Sequence, residues 1–289
     1  MKDSRSLALA IAAPFCFGTG FTIAKPAVTH FPPLLMMLFA YGFIAVLTVF
    51  TVPGPIKTPW PKAFLISACG VTIQGALLFW GVRGLESTTA NLLLQIQVPA
   101  AVLLGWLLLD ERITARKLLG TTLALAGAAI IIGMPTEKPP FWPVVLIVSS
   151  GFVWSMGQVL VRKWGKDDGA GTLKANALFG VPQLILATLV IETGQWQAIT
   201  TATPLQWAAL AFVGVIGFYV AYVCWFSLLR RVGLDEAAPW ILLMTPIGLV
   251  CAVVVLGERM TIIQIAGACV LMAGLAIVSG LGMQKVKSY

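Results

Sequence analysis

Apolar residues follow one another along the chain in ten stretches, which are separated by short segments rich in proline, glycine and charge. Most stretches hold about 20 residues, the length that an α-helix needs to cross the roughly 30 Å hydrocarbon core of a bilayer. The pattern therefore predicts an all-α integral membrane protein with ten transmembrane helices. The predicted spans are 7–27, 32–52, 62–82, 87–109, 115–134, 141–161, 172–192, 205–229, 235–256 and 262–282.

Composition supports the membrane class. Hydrophobic residues make up 59% of the 289 residues and charged residues only 10%. A soluble domain carries about 25% charged residues, so this chain could not cover itself with a water-facing surface. Because ten spans and their short loops account for the length, we expect no separate soluble domain.

The positive charges predict an orientation. With ten spans, 19 Lys and Arg residues sort unevenly, and only Lys25, Arg83, Lys138 and Arg259 fall on the side opposite the amino terminus. Lys and Arg concentrate in cytoplasmic loops, so we expect both termini in the cytoplasm. The same bias explains the net charge of +8, and we expect no nucleic-acid partner.

The chain contains an internal repeat. Residues 99–133 align without a gap onto residues 246–280, and residues 15–25 correspond to residues 152–162. Each half holds five predicted spans, an odd number, so the second half would enter the membrane upside down. We expect two inverted five-helix repeats, residues 1–137 and 138–289, around a central cavity that opens to each side in turn.

The repeat carries motifs that resemble a known family. Each copy ends in Glu-Arg-x-Thr, at residues 111–114 and 258–261, followed by a glycine-rich apolar run. Leu-Gln-Ile-Gln at 94–97 precedes Pro99, and Ala238-Pro239 precedes Thr-Pro-Ile-Gly-Leu at 245–249. These features resemble the EamA unit of the drug/metabolite transporter superfamily, and most closely exporters of cysteine and O-acetylserine. The resemblance implies a ten-helix carrier of the bacterial inner membrane that exports small metabolites, with spans 1, 3, 4, 6, 8 and 9 around the cavity.

Polar side chains inside spans identify candidate lining residues, because a polar group is costly in lipid and faces the protein interior. Asn91 and Gln95 lie four residues apart, hence on one helical face, as do Trp154 and Gln158. Gln97 lies about 200° round the helix from Gln95, so a hydrogen bond from Gln97 to a neighbouring helix is at least as plausible as a place in the cavity.

Further candidate substrate-binding residues come from the third, eighth and ninth spans. They are Gln74, Trp80, Tyr219, Tyr222, Trp240 and Thr245. Aromatic walls with a few amides and hydroxyls suit a small, partly apolar solute that is zwitterionic or neutral. The structural alternatives are that Trp and Tyr anchor the membrane interface and that amides bridge neighbouring helices.

Pro99 and Pro246 occupy matched positions of the repeat. Each removes a backbone hydrogen bond and can loosen its helix, so we predict that both act as gating points. A static kink needed for packing is the alternative.

Several chemistries lack the residues that they need. No Asp, Glu, Lys, Arg or His lies near the middle of a predicted span, which favours facilitated diffusion or solute exchange over proton coupling, although Glu86 in a watery vestibule could still carry protons. The five cysteines lie singly and there is one histidine, so no metal, cofactor or catalytic site is expected.

Three other functions compete with solute export. A flippase for lipid or polyisoprenoid-linked substrates of the same superfamily is the nearest alternative. An intramembrane enzyme would need paired carboxylates, a Ser/His arrangement or HExxH, and the sequence shows none of these. A channel commonly builds its pore by oligomeric symmetry, whereas the internal repeat supplies both halves within one chain. Membrane lipid surrounds the protein in every case. The repeat suggests that a monomer is sufficient, while faces of small residues leave a dimer possible.

Overall fold

The computed structural model describes residues 4–109, 114–133, 140–225, 227–228, 231, 240 and 243–279, and this part of the chain contains helices but no strand. We number the helices in chain order. They are α1 Ser4–Ile23, α2 Lys25–His30, α3 Pro33–Thr51, α4 Trp60–Arg83, α5 Ser87–Leu109, α6 Ala115–Gly133, α7 Phe141–Trp164, α8 Gly169–Ile191, α9 Gln195–Thr201, α10 Pro204–Trp225, α11 Met244–Leu256 and α12 Ile262–Ser279.

The helices have the character of membrane spans. Seven stretches are long and apolar enough to cross a bilayer: Ser4–His30, Pro33–Thr51, Trp60–Arg83, Thr89–Leu109, Phe141–Trp164, Gly169–Ile191 and Pro204–Trp225. Met244–Leu256 and Ile262–Ile277 are shorter apolar helices. The protein is therefore a multi-pass membrane protein. The predicted ninth span lies partly outside the described residues.

Helix boundaries follow local capping chemistry. The Asp168 side chain accepts the Gly171 N–H at 2.7 Å and begins α8, three residues earlier than predicted. Thr203 and Gln206 form a capping box at the start of α10, where Pro204 occupies the first turn. The short helix α9, between α8 and α10, was not predicted, because its seven residues do not form a long apolar run.

Two helices contain wide turns at corresponding places. α4 is π-helical over Ala68–Ile73, and α10 is π-helical over Val213–Val220. When the gapless register of the repeat is extended to α4 and α10, residues 68–73 correspond to 215–220. π-Helical turns often mark functional positions, and both of these segments lie beside the central cavity described below.

Glycine pairs allow two close helix crossings. A Cβ atom added to Gly20 would lie 3.0 Å from the Gly217 Cα, and one added to Gly157 would lie 3.1 Å from the Gly70 Cα. Gly20 corresponds to Gly157 in the repeat, and Gly70 corresponds to Gly217. Each crossing therefore pairs a glycine of the first half with a glycine of the second, and the second crossing repeats the first with the roles of the two halves exchanged.

The last helix of each half packs against the other. A Cβ atom on Gly127 would lie 2.7 Å from the Gly267 carbonyl oxygen, and one on Gly274 would lie 2.6 Å from the Gly120 oxygen. Gly120 corresponds to Gly267 and Gly127 to Gly274, so this antiparallel contact also joins matched positions reciprocally. Small residues let the two backbones approach without an intervening side chain.

The bundle has two ends, which we name by one residue of each. The His30 end holds the turn between α2 and α3, the turn after Arg83, and the segment 192–203, since Glu192 accepts the Leu34 and Leu35 N–H groups there. The Lys57 end holds the segment 52–59 and residues 165–168, which meet where Asp167 accepts the Lys57 N–H at 2.7 Å.

Candidate functional site

A central cavity of about 220 Å³ lies between helices of both halves of the chain. Its walls come from α1, α3, α4, α5, α7, α10 and α11. The residues that line it are Phe17, Met37, Tyr41, Gly70, Gln74, Leu78, Leu94, Gln95, Gln97, Trp154, Phe218, Tyr222, Trp225 and Met244. None of these lining residues is Asp, Glu, Lys, Arg or His.

Aromatic side chains form most of the wall, and they hold one another in place. The Phe17 and Tyr222 rings meet edge to face with centroids 5.1 Å apart, and the Tyr41 and Phe218 rings lie 6.0 Å apart. The Trp154 side chain donates a hydrogen bond to Tyr222 and so links α7 to α10. A preformed aromatic wall presents ring faces, which attract apolar groups and cations.

Amide groups supply the polar part of the wall. Gln95 donates from Nε2 to Thr245 Oγ1, a buried hydrogen bond that joins α5 to α11. Gln74 and Gln97 also line the cavity, and both are half-buried. No hydrogen bond within the described structure occupies either of their side-chain amides, so these two amides can bind a solute.

Gln95 and Gln97 both line the cavity, in contrast to the expectation from an ideal helix. α5 tightens into a 3₁₀ turn at Leu94–Ile96, immediately before Gln97. Two residues subtend about 240° in a 3₁₀ helix, compared with about 200° in an α-helix, so the angle between the two side chains closes from about 160° to about 120°. Pro99 contributes to this irregularity, because it cannot donate the hydrogen bond that the Gln95 carbonyl would accept.

Contacts beside the cavity repeat between the halves with one chemical difference. Ser155 Oγ donates to the Gln97 carbonyl at 2.7 Å, between α7 and α5. At the corresponding place between α1 and α11, Gly18 lies against the Met244 carbonyl, and a Cβ atom there would lie 2.5 Å from that oxygen. The contact between α7 and α5 is thus made by a serine hydroxyl, whereas the corresponding contact between α1 and α11 is made by the backbone at Gly18.

Asn91 lies one turn from Gln95 towards the His30 end and is outside the cavity. It is buried against Gly248, whose added Cβ would lie 3.2 Å from Asn91 Nδ2. The Nδ2 group has no hydrogen-bond partner among the described residues. Asn91 and Gln95 share a face, as predicted, but that face packs on α11, and only Gln95 reaches the cavity.

Of the ten predicted lining residues, Gln74, Gln95, Trp154 and Tyr222 are brought together in the central cavity, and Thr245 bonds to one of them. Trp80 lines a different cavity, because it lies about 200° round the helix from Leu78, which lines the central one. Gln158 is exposed and lines none of the cavities described. Tyr219 donates to Thr51 Oγ1 at 2.9 Å.

Trp240 packs against the cluster formed by Ala10 and Leu228 and is not part of the cavity wall. The two matched prolines have different surroundings, since Pro99 is buried and Pro246 is exposed. The Glu-Arg pair at 111–112, together with Pro239, Asp235 and Glu236, lies outside the described residues.

Sequence reasoning missed much of the wall. Phe17, Met37, Tyr41, Phe218, Trp225 and Met244 line the cavity but were not predicted to do so. An apolar side chain inside an apolar span gives no signal that separates cavity from core or lipid. The only sequence signal that Phe218 and Met244 line the cavity is that they stand next to the predicted lining residues Tyr219 and Thr245.

Another cavity, of about 250 Å³, lies at the Lys57 end, and its polar groups hold the fold together there. Burial acts to raise the pKa of Asp167, but hydrogen bonds from Thr58 and from the Lys57 and Thr58 N–H groups outweigh it, and the pKa is lowered overall. Lys174 donates to the Val52 and Gly54 carbonyls at 2.9 Å. These groups fasten the segment 52–59 to the start of α8. Across the described residues there is no group of three potential metal ligands.

The model of the EamA-like transporter family matches residues 4–133 and again residues 141–280. The chain belongs to the EamA-like transporter family. The resemblance seen in the sequence motifs is therefore confirmed. The two matches together cover nearly all of this EamA-like transporter.

Curated relatives carry transport names. A probable amino-acid metabolite efflux pump of Salmonella typhimurium is 30% identical over 284 residues, which cover 93% of each chain. A probable terminal-alkyne amino-acid exporter of Streptantibioticus cattleyicolor is 26% identical, over 86% of this chain and 88% of its own. A solved crystal structure superposes with a TM-score of 0.67 at 18% identity, over 97% of this chain and 98% of the other, and supports the fold alone.

Proposed function

We propose that this EamA-like transporter is a secondary carrier that exports small amino acids or their derivatives across the bacterial inner membrane by alternating access. The observation that carries the proposal is the central cavity, which both halves line with aromatic rings and amides. The names of the two relatives above agree with this substrate class.

Ten spans and two inverted halves belong to the same proposal. Support comes from reciprocal contacts at matched positions, where Gly20 meets Gly217 and Gly157 meets Gly70, and from the paired π-helical turns of α4 and α10. A two-fold axis relates contacts in this reciprocal way. The two separate family matches fall on the proposed halves, residues 1–137 and 138–289.

The proposed orientation places both termini and the Lys57 end in the cytoplasm. It follows from the loops, since Lys57, Lys163, Lys166 and Lys174 cluster at that end, while Arg83 and Arg259 lie at the other. Trp196 and Trp142 at the His30 end, and Trp60 at the Lys57 end, are each at least 70% exposed. Exposed tryptophans at both ends suit the two interfaces of a bilayer.

Contacts within the first half and one contact between the halves would close the exit at the His30 end. The Lys25 ammonium donates to the Val82 carbonyl at 3.1 Å and to the Leu85 carbonyl, and Glu258 accepts the Ser87 N–H at 2.8 Å. Residues 91–96 of α5 are all buried on this side of the cavity. The packed side is the side that must open to release solute outwards.

Opening requires α5 and α11 to move relative to their neighbours. Pro99 and the adjacent 3₁₀ turn weaken α5 beside the Gln95–Thr245 hydrogen bond, and Pro246 lies next to Thr245 on α11. We therefore keep Pro99 and Pro246 as proposed gating points. The different burial of the two prolines predicts that Pro99 contributes more to gating than Pro246.

The wall chemistry favours a solute whose own charges balance. Ring faces can hold a primary ammonium, the Gln74 and Gln97 amides can donate to a carboxylate, and the apolar remainder fits a small side chain. Since no lining residue carries a titratable carboxylate or imidazole, we propose facilitated diffusion or solute exchange without a proton site in the cavity. One chain supplies the whole cavity, so a monomer is sufficient.

Efflux from proteoliposomes tests the proposal. The vesicles are preloaded in turn with cysteine, O-acetylserine, threonine, an aromatic amino acid and a neutral sugar, with and without a pH gradient. We expect saturable efflux of one amino-acid class at a rate independent of the gradient. If no amino acid moves and a labelled lipid crosses between leaflets, the export proposal is wrong and the flippase alternative replaces it.

A further inference from the structure

A third cavity, of about 460 Å³, opens at the His30 end, and we call it the peripheral cavity. The turn between α2 and α3, the end of α4, and the segment from α8 into α9 enclose it. Its chemistry is carried by His30, Trp80, Arg83, Glu192 and Gln197. Transport through the central cavity assigns no role to these residues.

The Glu192 carboxylate is held rigidly in the wall. The side chain is 9% exposed, and its two oxygens accept the Leu34 and Leu35 N–H groups at 2.8 and 3.0 Å. These bonds cap the start of α3. Each carboxylate oxygen keeps a further lone pair, so the group can accept hydrogen bonds from a ligand as well.

Arg83 presents the opposite charge to the same cavity. One guanidinium nitrogen donates to the Thr29 carbonyl at 3.3 Å, which leaves further N–H donors of this exposed side chain available. The Arg83 charge influences Glu192 electrostatically, yet no ion pair joins the two groups among the described residues. The Glu192 carboxylate and the Arg83 guanidinium thus both face the peripheral cavity without forming an ion pair with each other.

The remaining groups favour a ligand with both polar and apolar parts. Trp80 is half-buried and supplies a ring, Gln197 supplies an amide, and Ile191 at the end of α8 is 61% exposed beside them. The His30 ring is already placed by a contact of 2.8 Å between its Nε2 and the Ala198 carbonyl oxygen. The cavity therefore borders the apolar surface of the bundle.

We propose that the peripheral cavity binds a small zwitterion, whose primary ammonium donates to Glu192 and whose anionic group accepts from Arg83. This chemistry occurs in free α-amino acids and in the phosphoethanolamine headgroup of membrane lipids. A trimethylated ammonium lacks N–H donors and would not satisfy Glu192. An anion without an ammonium group would be repelled by the Glu192 carboxylate.

This site is separate from the path proposed for transport. Leu78 lines the central cavity and Trp80 lines the peripheral one, so α4 divides them. Binding at the peripheral cavity does not depend on the export proposal, and the two can fail independently.

Equilibrium binding to the full chain in phosphatidylcholine nanodiscs tests the inference. Glycerophosphoethanolamine, alanine, glycerophosphocholine and glycerophosphate are titrated by ligand-observed NMR. We expect Arg83→Gln to weaken zwitterion binding about tenfold, through loss of a charge-assisted hydrogen bond, and Arg259→Gln to change nothing. Arg259 is a matched control because it is exposed, carries the same charge, follows Glu258 at the same end and does not line the cavity.

The outcomes separate the sources of the zwitterion. Arg83-dependent binding of glycerophosphoethanolamine supports the lipid headgroup, and the same pattern for alanine supports a free amino acid. Alanine that occupies only the central cavity would instead lose binding in Trp154→Ala and keep it in Arg83→Gln, which overturns the free amino acid as the ligand of the peripheral cavity. Equal binding of glycerophosphocholine or glycerophosphate, or no saturable binding, also overturns it. The second variant is Gln197→Ala, which we expect to weaken zwitterion binding modestly. It is preferred to Glu192→Gln, because loss of the Glu192 carboxylate could disturb the start of α3.

Discussion

The central and peripheral cavities lie on two sides of one helix and differ in charge. The central cavity is lined by rings, methionines and amides, without an ionisable Asp, Glu, Lys, Arg or His in its wall. The peripheral cavity is lined by His30, Arg83 and Glu192. Charged side chains are thus absent from the wall of the central cavity and present in the wall of the peripheral cavity, at the His30 end of the bundle.

The difference follows from the cost of burying charge. An unpaired charge in an apolar interior is penalised by several kcal/mol, whereas an amide needs only hydrogen bonds. A carrier must offer its central cavity empty during part of its cycle, so fixed charges there would have to be paired and then separated at each turnover. At the His30 end, water and backbone groups can solvate Arg83 and Glu192 throughout.

The largest expected effect comes from placing a charge in the central cavity. Gln74→Glu preserves the shape of the side chain but adds an anion among rings and amides. We expect transport to fall about a hundredfold at pH 8 and to recover partly at pH 5, where the new group can take up a proton. Efflux from proteoliposomes buffered at each pH measures this.

The peripheral cavity supplies the control for that variant. Gln197→Glu makes the same chemical change in a wall that already carries charge, and we expect efflux to stay within about twofold of the wild type. Equal losses in both variants would contradict the proposed division between an uncharged path and a charged end.

The second effect concerns the aromatic wall. Trp154→Ala removes a ring of the central cavity and the hydrogen bond to Tyr222, and we expect about a tenfold loss of transport efficiency, chiefly through a higher KM. Trp142→Ala changes a residue of the same helix that is 70% exposed and distant from the cavity wall. Concentration-dependent efflux from both variants measures the split between KM and maximal rate. A KM that stays at the wild-type value in Trp154→Ala would remove Trp154 from the solute site.

The limits of sequence reasoning become clear from these same residues. Gln95 and Trp154 could be found because a polar or aromatic residue in an apolar span has a reason to face the protein interior. Met37 and Phe218 could not, because hydropathy does not distinguish a cavity wall from core or lipid. The place of Gln97 could not be decided from an ideal helix, because the 3₁₀ turn at Leu94–Ile96 departs from the 3.6-residue period. Helix positions follow from long apolar runs, whereas cavity membership depends on which face of each helix meets its neighbours.

The third effect concerns the bond that joins α5 to α11 beside the central cavity. Gln95→Leu and Thr245→Val each leave a buried partner unsatisfied, which costs about 1–3 kcal/mol of stability, while the double variant removes both groups. We therefore expect the double variant to be less destabilised than the sum of the single variants, by about 1 kcal/mol. Thermal unfolding in detergent, completed as a double-mutant cycle, measures the coupling, and strictly additive effects would contradict it.

The smallest effect is a pH dependence of stability at the peripheral cavity. Burial raises the pKa of Glu192 above its ordinary value of 4.5, although the Leu34 and Leu35 N–H groups and Arg83 oppose the rise. The folded state therefore binds the proton more readily than the unfolded state, so the contribution of Glu192 to stability is largest at low pH and falls as pH rises from about 4.5 through the folded pKa.

Comparison with Glu192→Gln isolates this contribution, since glutamine does not titrate. We expect the difference in Tm between wild type and variant to decline as pH rises over that window, by about 2 °C or less. Asp167→Asn at the Lys57 end should behave in the opposite sense. The pKa of Asp167 is lowered by its hydrogen bonds despite burial, so its contribution is complete above pH 3.8 and is lost as pH falls through the folded pKa. A Tm difference between wild type and Glu192→Gln that grows with pH would show that the capping hydrogen bonds outweigh burial. The Glu192 carboxylate would then serve chiefly to stabilise the start of α3, and less to bind a ligand in the peripheral cavity.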